Sequence, residues 1–281
     1  MSHHNALPSA DGPVGIFDSG VGGLSVLRHI HAQLPQEHLL YFADSGFAPY
    51  GEKSDEWLVQ RSLAIASFLI SRGAKALVVA CNTATVAAIK ALRHAHPSLP
   101  IIGVEPGLKP GAAATRNGKV AVLATESTLR GEKFLALRDQ ICAASHAEFL
   151  LQPCGGLVER IEMGELSSAE TVALLDGFLA PLLDQGADTV VLGCTHYPFV
   201  RDAIAQVVAA RGAADVTLID TGDAVARQLA RLLESAALQR PGGTPAHLHC
   251  FTSGNPDAIA KAFSDLLGLK PLVEPVQIGQ F

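Results

Sequence analysis

AKALVVACNTAT, residues 74–85, and ADTVVLGCTHYP, residues 187–198, follow one pattern. Each contains an apolar run of strand length that leads into a cysteine, Cys81 or Cys194, with polar side chains directly after it. A continuous apolar run is typical of a parallel strand that is buried on both faces. Ligands of open α/β sheets bind at the carboxyl ends of such strands. The pattern therefore predicts two related sheets, each with one thiol at its ligand-binding edge.

Further apolar runs of strand length alternate with helix-length segments along the chain. We predict strands at 14–17, 38–42, 76–80, 101–104, 119–123, 147–151, 189–192, 216–219 and 247–252. Capping residues mark helix starts at Ser54 and at Ser167–Ser168, where Glu170 completes a capping box. This alternation predicts an α/β fold with two similar doubly wound parallel-sheet domains, pseudo-two-fold related and facing across a cleft.

The segment EPGLKPGAAATRNG, residues 105–118, is rich in proline and glycine and separates the two sets of four strands. Segments of this composition often connect domains. We therefore predict a boundary between the two halves here. The residues alone leave the tail after 219 open between the halves.

Composition excludes several classes of protein. The 281 residues suffice for about two domains, and 48% hydrophobic with 17% charged residues excludes a disordered chain. A net charge of -6 offers no surface for nucleic acid or an anionic membrane. The apolar runs are too short for a membrane span, and Met1–Gly12, with His3 and His4, lacks the regions of a secretory signal. Five cysteines, an odd number, predict reduced thiols and a cytoplasmic protein.

Other cysteine chemistries fit the spacing poorly. Arg201 lies one residue too far from Cys194 for the loop of a thiol phosphatase, and no Cys-x-x-Cys is present. Cys194 with His196, and HLHC at 247–250, lack the partners of a metal site, so we predict no metal. A cysteine hydrolase that uses Cys194 and His196 would leave Cys81 without a role. The remaining cysteines have no repeated context and are expected to be packing residues: Cys142, Cys154 and Cys250.

Several polar residues near the same edge have two interpretations each. The turn at 20–23, GVGG, lacks the lysine and hydroxyl of a phosphate loop, but its amides could take a carboxylate. For Asp18 the interpretations are a helix cap, a salt-bridge partner or a contact for a substrate ammonium group. Tyr50 is either a packing residue or a hydroxyl over a ligand. Three glutamates have the spacing of a solvent-exposed helix face: Glu159, Glu162 and Glu165. Any one of them could instead point inward.

These segments together resemble the signatures of the glutamate racemases, within the aspartate/glutamate racemase family. The resemblance is carried by GIFDSGVGGLS at 15–25, Tyr50–Gly51, ACNTAT at 80–85 and GCTHYP at 193–198, with VEPGLK at 104–109 similar to the interdomain segment of that family. It implies a cofactor-independent racemase that interconverts L- and D-glutamate for peptidoglycan synthesis. It also implies a homodimer. The implied domains are residues 1–105 plus 220–281, and an inserted second domain at 106–219.

The resemblance also implies roles for residues. Cys81 and Cys194 would be the catalytic acid/base pair, Cys81 acting on D-glutamate and Cys194 on L-glutamate. Asp18, Glu159 and His196 would be auxiliary. The implied substrate contacts are Asp18, Ser19, Tyr50, Gly51, Asn82, Thr83, Thr195 and His196.

The chemistry of racemisation is consistent with two thiols. A proton must leave one face of the α-carbon and another must arrive on the opposite face, so two bases are the direct solution. No lysine lies in a context that suggests a pyridoxal Schiff base, and we expect no cofactor. Aspartate racemase, a related two-cysteine enzyme, and a non-catalytic amino-acid-binding protein of the same fold remain as alternatives.

Overall fold

A computed structural model of the chain describes residues 9–279, so His3 and His4 lie outside the described residues. The strands are β1 Val14–Asp18, β2 Leu39–Ala43, β3 Ala76–Val79, β4 Ile101–Gly103, β5 Lys119–Ala124, β6 Glu148–Pro153, β7 Thr189–Leu192, β8 Thr217–Ile219, β9 Leu248–Thr252 and β10 Leu272–Pro275. The helices are α1 Leu24–Gln33, α2 Asp55–Ser71, α3 Asn82–Ala95, α4 Leu108–Ala114, α5 Glu126–Arg130, α6 Glu132–Ala144, α7 Leu157–Glu162, α8 Ala169–Asp184, α9 Arg201–Ala210, α10 Gly222–Ser235 and α11 Pro256–Leu267.

The strands form two sheets in which every pairing is parallel. One sheet has the order β10-β9-β2-β1-β3-β4 and the other β6-β5-β7-β8. The order β2-β1-β3-β4 is repeated as β6-β5-β7-β8, so β3 and β7, which precede Cys81 and Cys194, are counterparts. The predicted α/β class with two similar parallel sheets is confirmed.

Alternate residues of a strand point to opposite faces of its sheet, and both faces are apolar here. Helices therefore cover both faces of each sheet. In β1, Val14 and Ile16 belong to an apolar cluster shared with α1, α10 and α11. Phe17 belongs to a second cluster shared with α2 and α3. The second sheet has two apolar clusters of its own. Strands covered in this way leave only their ends accessible to a ligand.

Some element boundaries differ from the prediction. Ser168, not Ser167, caps α8, and its hydroxyl accepts the Thr171 amide at 3.2 Å. The segment 105–118 is not wholly irregular, because it contains α4, with its proline in the first turn where no amide hydrogen is needed. Strand β10 was not predicted from the sequence. It is a short edge strand that ends in a proline, and such strands give little periodic signal.

The tail contributes β9 and β10 to the sheet of β1–β4, and β5–β8 form the other sheet. The domain boundaries at 105/106 and 219/220 stay a prediction. Within residues 9–279, no helix is long and apolar enough to cross a membrane.

Candidate active site

The carboxyl ends of strands from both sheets meet around a cavity of about 220 Å³. The predicted site residues on its wall are Ser19, Tyr50, Gly51, Cys81, Asn82, Thr83, Glu159, Cys194, Thr195 and His196. Asp18 is fully buried behind Ser19, where its carboxylate accepts the Gly20 amide at 3.0 Å and lies 3.4 Å from the Thr195 hydroxyl. Burial raises the pKa of Asp18, although the charge of His196 and two backbone amides oppose the shift.

Cys81 lies between β3 and α3 and caps that helix, with its sulfur accepting the Ala84 amide at 3.5 Å. The Cys81 thiol donates to the Ser19 hydroxyl at 3.9 Å. Burial and then the charge of Asp18 raise the pKa of Cys81, more than the amide and hydroxyl contacts lower it. Cys81 is therefore a protonated thiol at neutral pH.

Cys194 follows β7 and lies in a different environment. The Nδ1 atom of His196 is 3.7 Å from the Cys194 sulfur, and its Nε2 atom is 2.6 Å from Oε1 of Glu162. Burial by itself would lower the pKa of His196, but the hydrogen bonds and charges of Cys194 and Glu162 raise it well above 6.5. A protonated imidazole next to a sulfur favours a thiolate. The two thiols therefore have different surroundings, an imidazole beside Cys194 and a buried carboxylate near Cys81.

The structure distinguishes the three glutamates that the sequence left open. Glu162 contacts His196, and the pKa of Glu162 is lowered by this contact and by the Val21 amide, against the effect of burial. Glu159 is exposed on the cavity wall, and Glu165 pairs with Arg160 at 2.6 Å. The carboxylate behind His196 is therefore Glu162, and the auxiliary role of Glu159 stays a prediction.

The glycine-rich turn at 20–23 does take a carboxylate, but one from the protein itself. The Val21 amide donates to Oε1 of Glu162 at 2.9 Å. A Cβ atom on Gly20 would lie 2.1 Å from the same oxygen, and one on Gly22 would lie 2.3 Å from Nδ1 of His196. Glycine is needed here because the turn contacts the side chains that surround Cys194.

Replacing Gly22 with alanine is expected to lower kcat by roughly 10- to 100-fold, because the new methyl group must displace the His196 ring. Steady-state kinetics of the racemase reaction that the sequence resemblance implies measure the effect. Gly177→Ala on α8 is the matched control, since its Cβ would meet no atom within 4 Å. Wild-type kcat in Gly22→Ala would contradict the importance of this contact.

Asn82 is the clearest unpaired polar group of the cavity. Its side chain is only 3% exposed, and within residues 9–279 neither its amide nitrogen nor its amide oxygen has a hydrogen-bond partner. Buried polar groups are normally paired, so these atoms are available to a ligand. Asn82 also begins α3, whose amino-terminal dipole favours an anion such as a carboxylate.

The sequence analysis missed several residues of the cavity wall, among them Thr125 and Cys154. Thr125 follows β5, the counterpart of β1. Its hydroxyl is within hydrogen-bond distance of the Thr83 hydroxyl, at 3.1 Å, and both residues line the cavity. The sequence Thr-Glu-Ser after a predicted strand was an available signal. Cys154 is buried as expected, but it also lines the cavity. Cys250 is buried, whereas Cys142 is exposed, so the packing role expected for Cys142 is wrong.

Tyr50 lines the cavity with its ring, but its hydroxyl points into the protein. It donates to Oδ2 of Asp44 at 2.5 Å, and Arg61 binds both carboxylate oxygens of Asp44, at 2.8 and 2.6 Å. Asp44 is fully buried and Arg61 is 2% exposed. Burial and the neighbouring Asp44 raise the pKa of Tyr50, so its hydroxyl stays protonated. The ion pair thereby holds one wall of the cavity.

Replacing Arg61 with methionine is expected to lower the free energy of unfolding by about 3–5 kcal/mol, because Asp44 would keep a buried charge without its partner. Urea unfolding followed by circular dichroism measures this loss. Arg28→Met, on the exposed face of α1, is the control and should change stability little. A loss below about 1 kcal/mol would show that the ion pair of Arg61 and Asp44 does not stabilise the fold as expected.

Comparison with known proteins agrees with the site. The sequence profile of the family described as Asp/Glu/Hydantoin racemase matches residues 14–229. A glutamate racemase of Pseudomonas paraeruginosa is 50% identical over 272 residues, covering 97% of this chain and 100% of the relative. One of Stutzerimonas stutzeri is 52% identical over 262 residues, covering 93% and 96%.

Solved structures of similar proteins cover nearly the whole chain. The glutamate racemase from Francisella tularensis in complex with D-glutamate matches with a TM-score of 0.84 and 27% identity, covering 97% of this chain and 100% of that one. The Escherichia coli glutamate racemase, in complex with L-glutamate and the activator UDP-MurNAc-ala, matches with a TM-score of 0.82 and 32% identity, covering 96% and 100%.

Proposed function

The chain belongs to the Asp/Glu/hydantoin racemase family, and we propose that it racemises glutamate with Cys81 and Cys194 as the two acid/base groups. The observation that carries the proposal is that two thiols, from corresponding strands of two similar sheets, border one cavity. A substrate α-carbon held between them would have one thiol on each face.

The proposed reaction transfers two protons. From L-glutamate, the Cys194 thiolate removes the α-proton, and the Cys81 thiol donates its own proton to the opposite face of the carbanion. Cys194 is then a thiol and Cys81 a thiolate, which is the state that accepts D-glutamate for the reverse reaction. Release of the Cys194 proton to solvent and uptake of a solvent proton by Cys81 restore the starting state. The Asn82 amide, the amino terminus of α3 and the hydroxyls of Thr83 and Thr195 are available to stabilise the carbanion through its carboxylate.

The charges around the two thiols support the assignment of Cys194 as the base for L-glutamate and of Cys81 as the base for D-glutamate. Burial and Asp18 favour the thiol form of Cys81. The protonated His196, held by Glu162, favours negative charge on the Cys194 sulfur. The enzyme without substrate is therefore ready for L-glutamate, with Cys194 as the base.

Two relatives support glutamate as the substrate. They are 50% and 52% identical to this chain over nearly their whole length, and both are named glutamate racemase. The test is to assay the L- and D-enantiomers of glutamate and aspartate side by side, following the loss of circular dichroism. We expect both glutamates to converge on the racemic mixture and both aspartates to react far more slowly. Faster turnover of aspartate, or no turnover of any of the four, would overturn the proposal.

The family resemblance also supports three physiological proposals: a homodimer, a cytoplasmic location and a supply of D-glutamate to peptidoglycan. The five cysteines are free, as expected for a reducing compartment. Light scattering on the purified protein tests the dimer. Rescue of a D-glutamate-requiring bacterium by this chain, and failure of rescue by its Cys194→Ala variant, would test the supply of D-glutamate.

A further inference from the structure

The turn after β1 and the first residues of α1 contact the segment after β7, although the two belong to different sheets. The Ser25 side chain is buried, and its hydroxyl oxygen lies 2.7 Å from the Thr195 carbonyl oxygen. It also lies 2.8 Å from the Gly22 carbonyl, within its own turn. The Thr195 carbonyl belongs to the peptide that joins Thr195 to His196. A hydrogen bond to this carbonyl fixes the orientation of that peptide plane, and with it the direction in which the His196 side chain points.

Ser25 is one of three neighbouring groups that reach the surroundings of Cys194 from the first sheet. The Val21 amide donates to Glu162, and Gly22 allows the His196 ring to lie against the turn. Together these contacts orient the peptide before His196, the ring of His196 and the carboxylate behind it. Cys194 is immediately next to this segment and 3.7 Å from Nδ1 of His196.

We propose that Ser25 is a positioning residue for Cys194, because its hydroxyl ties the Thr195–His196 peptide of the second sheet to the helix that follows β1. The inference rests on the proposed function, since it assigns Ser25 to one of the two proton-transfer steps. Ser25 is not among the residues that line the cavity, so its effect on the reaction would be indirect. Its loss should therefore impair the Cys194 step and leave the Cys81 step intact.

This role differs from a merely structural one in a measurable way. Serine at the start of a helix commonly bonds the carbonyl three residues earlier, as Ser25 does with Gly22, and that bond alone would serve only the turn. If the Thr195 contact matters for catalysis, the two directions of racemisation should respond differently to α-deuterated substrate. A general loss of packing would slow both directions without altering their isotope effects in opposite senses.

The experiment compares Ser25→Ala with wild type and with Ser62→Ala. Ser62 is the matched control, because it is fully buried on α2 and its hydroxyl has no hydrogen-bond partner among the residues that the structure describes. We expect Ser25→Ala to lower kcat roughly tenfold with little change in KM, and Ser62→Ala to keep wild-type kinetics. Circular dichroism and thermal unfolding establish that both variants are folded.

The isotope effect on kcat/KM is then measured with α-deuterated L- and D-glutamate. In Ser25→Ala, removal of the α-proton by Cys194 limits the rate, so the effect with L-glutamate should rise. Removal of the proton by Cys81 becomes a rapid equilibrium, so the effect with D-glutamate should fall. Equal changes for the two enantiomers, the opposite asymmetry, or unchanged kinetics would overturn the role of Ser25. Failure of the wild-type protein to racemise glutamate would instead overturn the proposed function.

Discussion

Replacing Cys194 with alanine is expected to lower the rate of glutamate racemisation about 10²- to 10⁴-fold in both directions, and Cys81→Ala should do the same. In the proposed mechanism each face of the substrate has one of these two thiols. Both are nearly inaccessible to solvent, Cys81 at 5% and Cys194 at 7% exposure. Without one thiol, a proton can leave or arrive on only one face. Racemisation then cannot be completed from either enantiomer.

The control for both substitutions is Cys142→Ala. Cys142 is the exposed cysteine among the five, and it lies on α6 away from the cavity. Its loss should leave the rate unchanged, which separates the two cavity thiols from a general need for cysteine. Circular dichroism would monitor the racemisation of each variant from both enantiomers. A rate above about one tenth of wild type in either Cys81→Ala or Cys194→Ala would contradict the two-thiol mechanism.

Replacing Glu162 with glutamine is expected to lower kcat about 100-fold. Removing the charge behind a catalytic histidine costs up to about 10⁴-fold in serine proteases. The effect should be smaller here because Glu162 is only one of two groups that raise the pKa of His196. The other is Cys194, which the substitution leaves in place.

The same substitution should change the pH dependence of the rate. The pKa of His196 lies above 6.5 and that of Glu162 below 4.5, so their ion pair persists between those raised and lowered values. It is lost when rising pH deprotonates His196 or falling pH protonates Glu162. In Glu162→Gln, burial acts on His196 with less opposition, so the imidazole loses its proton at lower pH. The basic limb of the pH profile of kcat should therefore move to lower pH.

Glu165→Gln is the control for this pair of effects, because Glu165 is bound to Arg160 rather than to His196. It should leave both kcat and the pH profile as in wild type. Glu159→Gln, measured in parallel, tests the auxiliary role predicted for that residue. A Glu162→Gln variant with an unmoved pH profile would show that His196 does not depend on Glu162.

The placement of the two thiols was predictable from the sequence. An apolar run followed by a cysteine specifies the end of a buried parallel strand, and that end is where ligands bind in such sheets. Most of the cavity wall follows from the same rule, because residues directly after strand ends, such as Ser19, Asn82 and Thr195, lie at that edge.

The partners behind these residues were not predictable in the same way. Glu159 and Glu162 lie on α7, a helix of six residues, and its rotation against the turn at 20–23 depends on packing between the two sheets. Asp18 and Ser25 likewise contact Thr195, in a distant segment. Hydrogen bonds between elements far apart in sequence leave no local pattern, so the sequence left these alternatives open.

The central claim is that two bases act on opposite faces of one carbon, and proton exchange during turnover tests it most directly. Wild-type protein is incubated with protiated L-glutamate in D₂O, and the α-position of both enantiomers is followed by proton NMR and chiral separation. At early times we predict that the D-glutamate formed has deuterium at the α-carbon, while the remaining L-glutamate keeps its proton. D-glutamate that retains the original proton, or L-glutamate that gains deuterium as fast as product forms, would contradict the two-base account.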